Sequence, residues 1–217
     1  MRGLYAITPE MLDTTKLIEQ VSCAISGGAR VVQYRSKRVP PDVVMAQAVA
    51  LRKVTKATGT LFIVNDNSDL ALTVGADGVH LGRDAGDEGN IFRIRLECAK
   101  FTPLQPFLIG VSCYNELGRA EDAVRVSADY IAFGSFFSSP TKPLAVKADL
   151  ALLRAARAKF GLPIVAIGGI TVGNARQLVS AGVDMVAVIT ALFDADDIAR
   201  RAREFTNLFE PGPHVCQ

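Results

Sequence analysis

The chain has 217 residues, 49% of them hydrophobic, and a formal net charge of only +2. That length allows one large domain or two small ones, and this much apolar side chain builds a core without disulfide or metal staples. A near-neutral balance with no run of like charges argues against a nucleic-acid-binding surface and offers no polybasic membrane patch.

Apolar strand-like runs alternate with segments of helical spacing from end to end. The first strand, Leu4–Thr8, comes so early that no room for a signal peptide is expected. The second, Arg30–Arg35, runs into Ser36 and Lys37. Successive strand side chains alternate, so Gln33, Arg35 and Lys37 share one face while Val32 and Tyr34 take the other. Two cations and an amide at a strand end suit the wall of an anion site. Arg meets phosphate oxygens bidentately, and Lys acts beside it as a point charge. The competing reading is a strand running out into a solvated loop.

Pro40-Pro41-Asp42 then opens a helix predicted over Val43–Ala57. The third strand, Leu61–Asn65, is followed by Asp66. One reading makes Asp66 an oxygen ligand for Mg²⁺, with Asn65 reaching a phosphate. The other makes it the cap of a helix starting near Ser68, the commoner role for Asp at such a place.

The fourth strand, Gly78–Leu81, leads to Asp84 and Asp87, either of which offers a second carboxylate. Mg²⁺ commonly takes one or two carboxylates and completes its shell with substrate phosphates. His80 sits inside the apolar run and reads as a core histidine rather than a catalyst. The crossover from Asp84 to Pro106 is the weakest unit, apolar only in patches.

The fifth strand, Phe107–Ser112, ends on a serine with no histidine near it in sequence, so Ser112 reads as a hydrogen-bonding group rather than a nucleophile. The sixth, Tyr130–Gly134, runs into Phe136 to Pro143, where Ser139, Thr141 and Lys142 around Pro140 suit a mobile phosphate clamp. A merely polar loop is the alternative. A helix over Ala148–Phe160 stops at Gly161, with Pro163 beyond.

The seventh strand, Ile164–Gly168, ends in Gly168-Gly169, followed by a helix near Asn174. Paired glycines let backbone N–H groups approach a phosphate at a helix start. The eighth, Met185–Thr190, ends on Ile189 and Thr190. The chain as a whole then reads as one domain over 1–209 and a frayed tail over 210–217.

Near-continuous Val/Ile/Leu strands alternating with helices fit a parallel sheet covered on both sides. Eight such units predict a single-domain α/β fold, the (β/α)8 TIM barrel, whose chemistry sits at the C-terminal strand ends. The strand ends then form two anion sites. Gly168, Gly169, Ile189 and Thr190 suit one phosphate, since such barrels often bind phosphate after strands seven and eight. Arg35, Lys37, Asn65 and Lys142, with carboxylates for a metal, suit a pyrophosphate. The implied chemistry is positioning with electrostatic stabilisation of a departing phosphate group.

The four cysteines, at 23, 98, 113 and 216, have no C-x-x-C spacing, so neither a zinc site nor a disulfide framework is expected. They read as thiols of a cytoplasmic, reducing setting. The longest apolar runs, such as Pro163 to Ile167, are too short to span a bilayer. No nucleic acid and no membrane is expected as partner, and whether the chain is a homo-oligomer is left open.

In its motifs the chain resembles the thiamine-phosphate synthase family over almost its whole length. The resemblance rests on Gly3 to Thr8, Gln33-Tyr-Arg-Ser-Lys37, Val64-Asn-Asp66, Ala76 to Gly82, Gly110-Val-Ser112, Pro140-Thr-Lys142 and Ala166 to Thr171. It implies a transferase that joins hydroxymethylpyrimidine diphosphate to a thiazole phosphate with loss of pyrophosphate. A pyrimidine cation is captured by the thiazole nitrogen.

Carried over by position, Gln33 contacts the pyrimidine, and Arg35, Lys37, Asn65 and Lys142 hold the diphosphate. Ser112 lines the pocket, and Asp66 binds Mg²⁺. Ser139, Thr141, Gly169, Ile189 and Thr190 surround the thiazole phosphate. The substrates are thus small phosphorylated molecules, and the catalytic group comprises Arg35, Lys37, Ser112 and Lys142.

One departure concerns the metal. The family places a second metal-binding Asp where this chain has Ala85, so Asp84, or else Asp87, is left to supply that ligand. Ser139 and Thr190 are mild hydroxyl-for-hydroxyl changes. A related tautomerase would carry a catalytic His where Tyr114 stands, and a non-catalytic binder of phosphate or thiamine precursors is the reading that Ala85 favours. Another phosphate-binding barrel, an isomerase or aldolase, would need an acid–base pair or Schiff-base lysine that the sequence does not offer.

Overall fold

The computed structural model describes residues 1–82, 86, 88–101, 106–138 and 147–210. Eight strands form one closed barrel in chain order. They are β1 (Gly3–Ile7), β2 (Val31–Tyr34), β3 (Leu61–Asn65), β4 (Gly78–Leu81), β5 (Leu108–Tyr114), β6 (Tyr130–Phe133), β7 (Ile164–Ile167) and β8 (Met185–Val188). Every neighbouring pair is parallel, and closure comes from β1 pairing with both β2 and β8, as in Tyr5 opposite Val31 and opposite Ala187. No helix among the described residues is long and apolar enough to cross a membrane.

Around the barrel lie α1 (Thr14–Ser26), α2 (Pro41–Thr58), α3 (Ser68–Thr73), α4 (Glu88–Phe101), α5 (Leu117–Arg125), α6 (Leu150–Lys159), α7 (Val172–Ser180), α8 (Thr190–Phe193) and α9 (Ile198–Thr206). A short 3-10 turn, Asn207–Phe209, follows.

Strand alternation splits the core in two. Leu4, Val32, Phe62, Val79 and Ile131 face the helices, whereas Tyr5, Val31, Ile63, Tyr130 and Met185 pack inside the barrel. Both layers are almost fully shielded from water, which makes the barrel a packed core rather than a pore.

Local chemistry sets the boundaries. Pro41 occupies the first turn of α2, two residues before the predicted start, where a missing N–H costs nothing. Gly59 closes that helix in the left-handed region at φ 67°. Asp149 caps α6 by accepting from Leu152 N–H, so that helix starts at Leu150 instead of Ala148. The weakly patterned fourth crossover does carry a helix, α4, held on Ile91, Ile94 and Cys98, one stripe at helical spacing.

Six of the eight strands end one or two residues from where the sequence reading places them, and two of these shifts bear on the site. Arg35 leaves the ladder because its N–H goes to Thr8 Oγ1 at 3.0 Å. Thr190 is the first residue of α8 rather than the end of β8, since Asp194 N–H bonds back to its carbonyl. At the opposite end of the barrel a recurrent staple appears. Asp77, Asp129 and Asp184 each accept the N–H of the first or second residue of the preceding strand and an arginine from the helix before that strand.

Candidate active site

A cavity of about 940 Å³ opens at the C-terminal ends of the strands. Gln33, Arg35, Lys37, Asn65 and Asp66 line one side of it, and Gly168, Gly169, Ile189 and Thr190 line another. The two anion sites read from sequence therefore share one mouth. Ser112 also lines the cavity. Asp84, Ala85, Asp87, Ser139, Thr141, Lys142 and the tail from 211 lie outside the described residues.

Gln33 points into the barrel, 3% exposed, while Tyr34 points outward and donates to Gln47 of α2 at 2.8 Å. The alternation expected on this strand therefore holds. Beyond it, Glu10 gathers the loop: its Oε1 accepts Lys37 N–H at 2.7 Å and lies 3.9 Å from Arg35 Nη1. The sequence offered no signal for Glu10, which lies 27 residues from Lys37.

Asp66 is not a helix cap. Asn67 takes that role, accepting Leu70 N–H at 2.9 Å. Asp66 instead sits at φ 59°, a conformation that Asp tolerates better than most residues. Its N–H donates to His80 carbonyl at 2.8 Å, Oδ1 accepts Gly82 N–H at 2.8 Å, and Oδ2 accepts from Asn65 Nδ2 at 2.7 Å. One backbone position thus binds β3 to β4 and presents a carboxylate to the mouth.

The expectation that Ser112 has no histidine near it is corrected. His80 Nε2 lies 2.9 Å from Ser112 Oγ, because β4 and β5 are neighbours and Gly110 stands opposite His80 in register. Sequence distance concealed a contact that strand pairing creates. His80 is buried and satisfied as a core histidine should be, yet it also lines the cavity. Among the described residues no carboxylate completes a triad: Tyr130 Oη, 3.1 Å away, occupies Nδ1. Burial lowers the His80 pKa to about 4, against a smaller opposing effect of Asp66, so the imidazole is neutral and a poor base at pH 7.

On the far side, Gly168 and Gly169 have φ of 102° and 62°. A Cβ on Gly169 would stand 2.4 Å from the Ser138 carbonyl, so only glycine lets these two loops touch. Asn174 braces the turn, accepting Thr171 N–H at 2.8 Å and donating to Gly169 carbonyl at 3.0 Å. Arg201 of α9 reaches this side of the cavity and donates to Ala191 carbonyl at 3.0 Å. Reading strand ends alone missed it, because it comes from a helix.

Among the described residues no group of three or more His, Cys, Asp or Glu is arranged to hold a metal. Asp66, with Asn65 beside it, supplies hard oxygen donors from one place only. That donor set suits a Mg²⁺ whose remaining ligands are water and substrate phosphate.

Comparison with known proteins agrees with this geometry. The family model for thiamine monophosphate synthase matches residues 4–192. The thiamine-phosphate synthase of Thiobacillus denitrificans is 47% identical over 211 residues, covering 97% of this chain and 96% of the relative. That of Methylobacillus flagellatus is 47% identical over 209 residues, covering 96% of each. Among solved structures, thiamine phosphate pyrophosphorylase from Pyrococcus furiosus superposes with a TM-score of 0.81 at 34% identity, covering 95% of both chains. A 3-hexulose-6-phosphate synthase, at TM-score 0.70 and 18% identity, shares the fold alone.

Proposed function

The chain belongs to the thiamine monophosphate synthase family, and we propose that its reaction runs between the two anion sites facing each other across the barrel mouth. It is a transferase that condenses hydroxymethylpyrimidine diphosphate with hydroxyethylthiazole phosphate, giving thiamine phosphate and pyrophosphate. The observation that supports this assignment of sites is the single cavity, which joins the Gln33, Arg35 and Lys37 wall to the Gly168-Gly169 and Ile189-Thr190 wall.

In this reading Arg35 and Lys37 face the diphosphate and offset the charge that develops on it as the bond to the pyrimidine methylene breaks. Asn65 and Lys142 add donors to the same group. Gln33 and Ser112 hold the pyrimidine ring on the barrel floor. Gly169, Ile189 and Thr190, with Ser139 and Thr141, hold the thiazole phosphate, so that its ring nitrogen meets the electron-poor methylene. Holding both partners in one cavity turns an encounter into a positioned reaction. No residue is needed as a base, which agrees with a neutral, hydrogen-bonded His80.

Mg²⁺ is the cofactor that this donor chemistry fits. Asp66 would hold it, with Asp84 as the second carboxylate, and it would supply further neutralisation of the leaving diphosphate.

The test is purified protein with both phosphorylated precursors and Mg²⁺, with thiamine phosphate and pyrophosphate measured together. Equimolar appearance of the two is the expected result. Binding of both precursors without product would overturn it in favour of a non-catalytic binder.

A further inference from the structure

A hydrogen-bonded chain crosses the barrel floor beneath the cavity. Gln33 Nε2 donates to Tyr5 Oη at 2.8 Å, and the Tyr5 and Tyr130 hydroxyls are 2.9 Å apart. Tyr130 Oη lies 3.1 Å from His80 Nδ1, and His80 Nε2 lies 2.9 Å from Ser112 Oγ. Tyr5 and Tyr130 are 1% and 0% exposed. Gly110 makes the arrangement possible: a Cβ there would stand 1.9 Å from Tyr130 Cζ. With that space free, the tyrosine ring lies across β5 and stacks on His80 at 5.6 Å.

With Gln33 Nε2 as the donor to Tyr5, the whole chain takes one direction. Tyr5 oxygen receives the Gln33 amide proton, so its own proton goes to Tyr130. Tyr130, already accepting, directs its proton to His80 Nδ1. Nδ1 is then the acceptor, Nε2 carries the ring proton and donates to Ser112, and the Ser112 proton is left for the cavity. Running the other way with the same amide would leave the Tyr5 proton without an acceptor inside the barrel, which folded proteins avoid. Gln33 Oε1 takes no partner among the described residues, is not a buried orphan, and belongs to a side chain lining the cavity.

We propose that Tyr5, Tyr130 and His80 are positioning residues that fix the polarity of the barrel floor, presenting Gln33 Oε1 as an acceptor and the Ser112 hydroxyl as a donor. Such a floor complements a pyrimidine that carries an amino group beside a ring nitrogen. It rejects one with a carbonyl in place of the amino group, because two acceptors would then face each other. The proposal rests on the reading that the pyrimidine diphosphate occupies this cavity.

The test has two independent arms. The chain has two histidines, His80 and His214, so ¹⁵N imidazole spectra hold two sets of resonances, which His80→Gln assigns. His80 is expected as the Nε2–H tautomer in substrate-free protein, and an Nδ1–H tautomer overturns the proposed direction. In the second arm, calorimetry compares hydroxymethylpyrimidine diphosphate with its analogue bearing a carbonyl in place of the amino group. The wild type is expected to favour the amino compound by about tenfold or more. Tyr130→Phe and Tyr5→Phe are each expected to bring that ratio toward one, since the Gln33 amide can then turn over. A ratio unchanged in both variants overturns the proposal. If the wild type binds neither compound, the assignment of the cavity fails, while the tautomer still decides the direction of the chain.

Discussion

Lys37 Nζ lies 3.6 Å from Asp66 Oδ2, joining the loop after β2 to the loop after β3 at the mouth of the barrel. Both side chains are substantially exposed, at 53% and 39%, so the pair contributes little to stability. It holds a cation and a hard carboxylate side by side, the pair of groups that the proposed diphosphate and its metal would need.

Lys37→Ala should therefore separate function from folding. A charge-assisted contact to the diphosphate contributes about 1.5–3 kcal/mol, so kcat/KM should fall by roughly ten- to a hundredfold. Thermal melting should stay within about 1 °C of wild type. A drop of many degrees with unchanged kinetics would make the pair structural.

The metal can be probed from the carboxylates. Asp66→Asn should raise the Mg²⁺ concentration needed for half-maximal rate. Asp84→Ala should do so more than Asp87→Ala, as titration of the rate with Mg²⁺ would reveal. Equal and negligible effects of the last two would leave Asp66 and the substrate diphosphate as the metal's only anionic ligands.

The second anion site makes a separate prediction. In Gly169→Ala the new methyl would meet the Ser138 carbonyl at 2.4 Å, in a left-handed conformation as well, so the loop must move. Steady-state kinetics should show KM for the thiazole phosphate raised by about tenfold or more, as if a hydrogen bond to a charged group were lost. KM for the pyrimidine diphosphate should change far less. Equal effects on both would mean that the two sites are not separate.

His80 gives the protein an acid-sensitive core. Its pKa is lowered in the fold to about 4, chiefly by burial, from an ordinary 6.5. Between these values the unfolded chain binds a proton that the folded chain refuses, so stability falls as pH drops from 6.5 to 4. The loss is of order 3 kcal/mol at the lower end. Melting temperatures of wild type and His80→Gln measured from pH 7 to 4 should show the steeper decline in wild type, and parallel curves would exclude this origin.

The base of the barrel should be separable from the mouth. Asp129 Oδ2 accepts Arg95 Nη2 and Ile109 N–H, both at 2.6 Å. Asp129→Asn should cost about 1–3 kcal/mol, lowering the melting temperature by roughly 2–12 °C. At 25 °C kcat/KM should be unchanged, because the staple lies at the opposite end from the cavity.

Much of the site was legible because strand chemistry is local. Period-two alternation placed Gln33 inside and Tyr34 outside, and short apolar runs marked all eight strands. The groups after strands two, three, seven and eight could be named once the barrel was inferred, since such a fold gathers those ends. Thr190 was misplaced by one element because a carbonyl accepting from Asp194 N–H leaves no mark in the pattern of apolar residues.

What local sequence determined, then, was the number and order of the units and the kind of group each strand end offers. Side-chain alternation and turn chemistry act over a few residues, and they are written there. Which groups meet was decided only by closure of the barrel. Register across β4 and β5 brought His80 to Ser112, 32 residues away in sequence, and the space over Gly110 let Tyr130 reach both His80 and Tyr5. Asp66 became a brace between strands instead of a cap because the Gly82 N–H lay within its reach while Asn67 served the helix. These contacts are selected by the packing of a whole sheet, in which each side chain's partner depends on strands far away along the chain.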